Sequence, residues 1–310
     1  MLASPSCLGT VARIVPQKLD NERRQHARLA GMPALLLAAA VCACLLVPAA
    51  AAHAEWIVDA GSDLVYEDNL TRAARRADRR GDVALSPWLS IGHHAQLGDA
   101  TSLLASADVK GTLYPRFEGL SNVAPTLTLG LRQKFGLGAS APWLRGFAAA
   151  GVLDYGDDVR DSALVDAGVQ AGTRLSDRFG VQGGYTYERL EARGRVFDQD
   201  SHTLSVQGSA VVSDALHLAV GYAVRWGDLV VHRTPAAGAT RTSHTRVVNT
   251  FDTPLEAVRI DATTHIVSAT LSYALTPRAA VTAGYEHHLS IGPIFDYPNH
   301  VVRAGFAYSF

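Results

Sequence analysis

Over most of the chain, apolar and polar side chains alternate with a period of two. In "LHLAVGYAVRW", Leu216, Leu218, Val220, Tyr222, Val224 and Trp226 fall on one face and His217, Ala219, Gly221, Ala223 and Arg225 on the other. "SHTLSVQGSAV" sets Ser201, Thr203, Ser205, Gln207 and Ser209 against Leu204, Val206, Ala210 and Val212. This is the mark of a strand with two unlike faces. No stretch after Ala54 keeps a helical stripe. The pattern predicts about twelve strands, near 55–67, 82–94, 101–114, 123–135, 143–155, 162–175, 179–191, 201–213, 215–230, 262–275, 279–291 and 299–310. In the fifth, Arg145 shares a face with Trp143 and Phe147, which leaves its facing open.

The connections alternate in length. Short turns ("LGDA", "GASAP", "LSDR", "VSDA", "LTPR") separate alternate pairs, and longer segments (68–81, 115–122, 156–161, 192–200, 231–261 and 292–298) join the others. Three hairpins repeat: "SDRFGVQGGY", "SDALHLAVGY" and "TPRAAVTAGY" put Tyr185, Tyr222 and Tyr285 at one height. Each predicted strand is long enough to cross a hydrocarbon layer when tilted, which takes roughly 9–11 residues. The apolar face has no jigsaw of large and small residues, as lipid contact allows, while the other face is rich in Ser, Thr, Gly and Gln. The expected fold is all-β, an antiparallel transmembrane β-barrel whose closure pairs every backbone amide. Trp56, Tyr66, Trp143, Phe179, Trp226 and Tyr308 near strand ends suit interfacial girdles.

Ahead of the strands, Met32–Ala54 forms one apolar run preceded by Arg23, Arg24 and Arg28, and Ala52-His53-Ala54 has the small-x-small form of a cleavage site. The expected organisation is an extended N-region and cleaved signal peptide over 1–54, then one barrel domain over 55–310. An uncleaved anchor, or a lipoprotein signal using Cys44, stands as the alternative. Cys7, Cys42 and Cys44 all precede the cut, so a mature chain has no disulfide and no cysteine chemistry. The formal charge is −1; losing five Lys/Arg and two Asp/Glu makes it −4. With no basic stripe interleaved with aromatics, nucleic acid is excluded as a partner.

The chain ends "HVVRAGFAYSF". Phe306, Tyr308 and Phe310 share one face, opposite Arg303, Gly305, Ala307 and Ser309. This resembles the C-terminal signature of bacterial outer-membrane barrels, which the barrel-assembly machinery reads. The resemblance implies residence in a Gram-negative outer membrane, contact with its lipid and lipopolysaccharide, and a role for Phe310 in insertion. "VYEDNLTRA" (65–73) resembles the first-strand ending of several proteobacterial barrels, and is also similar to barrels that help display surface lipoproteins.

Inside such a barrel, the candidate lumen charges are Asp108, Lys110, Arg132, Lys134, Asp166, Arg174, Glu188, Arg225, Glu286 and Arg303. Mixed signs suit either a polar channel with an ion or solute preference or ion pairs that pack a narrow barrel shut. In the 68–81 loop, Arg72, Arg75, Arg76, Arg79 and Arg80 are candidates for meeting lipopolysaccharide phosphates, if they are not simply solvated. The 231–261 segment either constricts the mouth or extends its flanking strands. "EHHLS" sets His288 and Ser290 on one strand face, a loose likeness to outer-membrane phospholipases, but both point inward and no residue to orient the base is evident. His93-His94 and His287-His288 are strand neighbours that point apart, so no metal or other cofactor is expected. The leading expectation is a porin-like channel for small polar solutes. A structural or surface-binding barrel comes second, and an enzyme, a lipid hydrolase, last.

Overall fold

The computed structural model describes residues 54–235, 242–293 and 296–310. The expected signal peptide and the three cysteines lie outside the described residues. Thirteen strands follow in order: β1 (Ala54–Glu67), β2 (Asp82–Gln96), β3 (Thr101–Thr112), β4 (Asn122–Lys134), β5 (Trp143–Tyr155), β6 (Ser162–Arg174), β7 (Phe179–Ala192), β8 (Gln199–Val211), β9 (Leu216–Arg233), β10 (Thr245–Val248), β11 (Leu255–Thr276), β12 (Ala279–Ile291) and β13 (Asp296–Ser309). All except β10 form a closed antiparallel barrel of twelve strands. β9 pairs with β11, and β13 returns to β1 from Glu67↔Val301 to Asp59↔Ser309. Closure leaves no edge, so the wall satisfies its own backbone where no water is available.

The pairing register assigns the two faces. Leu64 and Tyr66 of β1, Leu89 and Ile91 of β2, Leu129 and Leu131 of β4, Val220 and Tyr222 of β9 and Phe306 of β13 all stand exposed on the outer wall. The facing of β5 is settled by its neighbours. Arg132 pairs with Arg145 and Lys134 with Trp143, so Trp143, Arg145 and Phe147 face the lumen. The reason lies on β6, where the aromatic rings rest over glycines. A Cβ on Gly168 would stand 2.8 Å from the Phe147 ring, and one on Gly172 would stand 2.7 Å from Trp143. Trp143 therefore belongs to the interior and not to an interfacial girdle. Trp56 and Phe179 remain on the outside, well exposed.

On the outer wall the repeated hairpins carry a repeated contact. The hydroxyls of Tyr185, Tyr222 and Tyr285 lie 2.7, 2.7 and 2.8 Å from Nδ1 of His202, His265 and His300 on the adjacent strands. Trp226 stacks on His202 at the same level.

The end with long connections, the loop end, is packed as a soluble protein is. Segment 68–81 dips into the mouth as a plug. Asn69 Oδ1 accepts from the Ala73 backbone and the Thr71 hydroxyl, and Asn69 Nδ2 donates to the Pro298 carbonyl. Asn69 and Thr71 are fully buried. Above the plug a lid crosses the mouth. It consists of the ends of β9 and β11 beyond Gly227 together with β10, which pairs with the start of β11. Gly227 allows the departure: its φ of +127° is a left-handed value, and a side chain there would run into the Asp200 carbonyl. Phe251 at the lid tip packs on Phe117, Leu120 and Leu255, while Val230, Val248 and Ala257 pack on Val196 and Phe197. The described parts of segment 231–261 thus both extend their strands and cover the mouth. Asp252 ties the parts together, accepting from Arg80 of the plug at 2.7 Å and from Arg116 at 2.8 Å.

Candidate functional site in the lumen

Alternation along each strand carries a row of polar side chains down the inside. The register places Asp108 and Lys110 (β3), Arg132 and Lys134 (β4), Asp166 and Arg174 (β6), Glu188 (β7), Arg225 (β9), Glu286 (β12) and Arg303 (β13) on the lumen face. They do not form one cluster. Glu286 is shared by His288 at 2.8 Å and Arg303 at 3.2 Å. Asp166 stands opposite Glu188, which lies 3.9 Å from Arg225. Asp108 accepts from Ser106 at 2.9 Å.

Burial divides this interior in two. Towards the loops, Ser86, Ser201, Thr264, Ser290, Tyr297 and Asn299 face inward and are buried beneath plug and lid. Towards the short turns, Arg132, Arg174, Gln182, Ser205, Ser209 and Arg303 face inward and are exposed. The lumen is therefore a polar cup, open at the turn end and covered at the loop end.

The five loop arginines part company. Arg72 sits at the plug apex with a left-handed φ of 51°, within electrostatic reach of Arg160, Arg225, Tyr114, Tyr155 and Tyr297. Arg79 donates to the carbonyls of Ala73 and Ala74, and Arg80 is committed to Asp252. Only Arg75 and Arg76 stand exposed at the surface. The physical reason is that the loop folds inward, so one surface array of five cations does not form. Arg160, in the β5–β6 connection, lies 4.2 Å over the Phe197 ring, and one of its terminal nitrogens lies 3.0 Å from Nε2 of His232. Burial pushes its guanidinium down to about 10, with Asp157 opposing that shift, so it stays charged at neutral pH.

His288 and Ser290 both face inward. His288 pairs with Glu286, whereas the Ser290 hydroxyl lies 2.8 Å from that of Thr264. The histidine thus has its carboxylate, but the serine is engaged elsewhere.

The turn end holds a concavity of about 370 Å³ on the β4–β8 wall, lined by Arg132, Lys134, Trp143, Arg174, Gln182 and Gln207 among others. The sequence missed Trp143 and the glutamines as one site with Arg132, Lys134 and Arg174. Their grouping depends on register across four strand pairs, which no local pattern carries. Gln182 and Gln207 do each occupy the polar face of an alternating strand, and that was the available signal.

The model of the outer membrane protein beta-barrel domain matches residues 132–310, more than half of the chain. The chain belongs to this family. It is an outer membrane beta-barrel protein of a bacterial outer membrane. Among solved structures it is similar to the COG4313 outer membrane channel from Pseudomonas putida F1, at 14% identity and a TM-score of 0.54, over 86% of this chain and 100% of that one. That likeness concerns the fold. The translocator domain of the autotransporter NalP from Neisseria meningitidis matches at 13% identity and a TM-score of 0.41, over 93% and 98% of the two chains. The outer membrane channel DcaP of Acinetobacter baumannii matches at 10% and 0.42, over 85% and 99%. No curated protein matches the sequence. In an outer membrane beta-barrel protein the short turns face the periplasm and the long loops face outward. The open end of the cup is then periplasmic, and the plug and lid lie at the cell surface.

Proposed function

We propose that this barrel is an outer-membrane channel for small polar solutes, shut at its outer mouth in the conformation described. The observation that carries this reading is the contrast inside the lumen. A barrel built only as a scaffold has no need of a row of exposed Arg, Lys, Gln and Ser along an open, water-accessible interior. The closure, by contrast, is local. It rests on a plug and a lid made of connections, and loops of this kind are the elements that move in gated proteins. Passage requires displacement of the lid, with the plug setting the narrowest point.

Planar-bilayer recording of the refolded protein tests this. The wild type is expected to be mostly silent with brief openings. A variant in which residues 245–253 are replaced by a short glycine–serine link is expected to give steady open-channel steps. Silence from both would retract the channel.

A second reading, a surface-binding barrel, is favoured by Arg75 and Arg76, which stand exposed where lipopolysaccharide phosphates lie. The alternating aromatics of the last strand, with Phe310 71% exposed, remain the proposed signal to the barrel-assembly machinery.

A further inference from the structure

The concavity at the turn end has a composition that the rest of the lumen lacks. Arg132 and Lys134 of β4 and Arg174 of β6 bring three cations to its lining, and Arg145 of β5 stands opposite Arg132 in register, outside that lining. Among the described residues none of the four makes an ion pair. The lumen's carboxylates do stand elsewhere, and Glu188 and Glu286 already have basic neighbours. The whole chain carries a formal charge of −1, so this local excess is not the by-product of a basic protein.

The shape suits a ligand too. Gly180 leaves the floor low, and Trp143, seated over Gly172, forms one wall. The Arg132 guanidinium lies 4.6 Å over the Trp143 ring, which holds its plane and leaves its edge donors to a guest. Gln182 donates to Gln207 at 3.2 Å, which leaves the Gln207 amide nitrogen as a further donor. Such a wall concentrates positive potential in a cleft bounded by low-dielectric material. Halide ions gain that field and single hydrogen bonds but have no paired oxygens for a fork. A phosphate or carboxylate also gains the paired, charge-assisted hydrogen bonds of an arginine fork.

We propose that this concavity is an oxyanion-binding vestibule, taking small solutes that carry a phosphate or carboxylate as they enter or leave the periplasmic mouth. The traffic rests on the channel reading above; the binding does not.

The test is calorimetric titration of the refolded barrel in detergent with inorganic phosphate and, separately, with acetate, at an ionic strength held constant with sodium chloride. Saturable binding of either anion is expected, and the preferred one identifies the solute class. The double variant Arg132→Gln/Arg174→Gln should weaken it by about tenfold or more. Lys110→Gln, which removes a lumen cation outside the concavity, should leave it unchanged. Wild-type affinity in the double variant, or no saturable binding of either anion, would overturn the site. The two readings separate cleanly. Phosphate binding without current retracts the channel and keeps the vestibule, and current without oxyanion binding does the reverse.

Discussion

The two ends of this barrel obey different rules of burial. At the turn end the inner wall is open, and residues such as Ser209 and Arg174 are exposed. At the loop end the same strands run into a packed interior, where Phe117, Leu255 and Val231 are as buried as in any soluble core. The membrane belt between them needs no such core, because lipid covers the outer wall and closure satisfies the backbone. Hydrophobic packing in this protein is therefore concentrated in the parts that close the mouth. Destabilising that packing should open the barrel before it unfolds it.

Four substitutions would break or sharpen this contrast. Phe251→Ala should have the largest effect. It removes the ring that joins the lid to Phe117 and Leu120, a loss of about 3–5 kcal/mol in lid docking. Hydrogen exchange over β10 and the start of β11 should accelerate while the heat-resistant gel mobility of the barrel stays the same; loss of both together would mean that lid and wall fold as one unit. Gly227→Val comes next. It asks a branched residue to hold a left-handed φ beside the Asp200 carbonyl and should cost about 1–3 kcal/mol, read as a lower temperature of gel-mobility loss.

Asp252→Asn should be milder, a few tenths of a kcal/mol, because its two ion pairs are partly exposed and screened. The Asp252 carboxyl is held below its ordinary value chiefly by the hydrogen bond from Arg80. Its contribution is thus complete above the unfolded aspartate value of about 4 and is lost as pH falls through the lower folded value. Lid protection should be flat from neutral pH down to about 5 and should decline below about 4, and Asp252→Asn should abolish that decline. Ser209→Ala, on the open wall, should lie within about 0.5 kcal/mol of wild type in the same melting assay. A large loss there would show that the turn end is packed after all.

How much of this was legible in the sequence follows from the same contrast. Where one face meets lipid and the other water, period two is plain, and the strands of the belt could be placed to within a few residues. Where both faces are buried, alternation loses its meaning. Val230, Val231 and His232 are consecutive and all buried, so the lid end of β9 reads as loop. "VYEDNLTRA" was visible as a likeness, but the work of its Asn69 is done at Pro298, 229 residues away, and that of Thr71 at His232, 161 residues away. The inward turn of Trp143 and Phe147 was hidden for a similar reason, since the space they occupy is provided by glycines on another strand. Among the candidate charges, the sequence could name the inner face of each strand. It could not say that Arg132, Lys134 and Arg174 line one concavity.

The three tyrosine–histidine pairs on the outer wall have a consequence for how the molecule floats. Each phenol oxygen is tied to an imidazole Nδ1 on the neighbouring strand, so both polar groups are held together on the outer wall. Spread over six strands at one latitude, these polar tips and Trp226 make a waterline. A vertical slip of one residue, roughly 3.3 Å, would submerge or strand all of them at once. The barrel is thereby moored at a fixed draught, and its lid is carried at a constant freeboard above the surface of the cell.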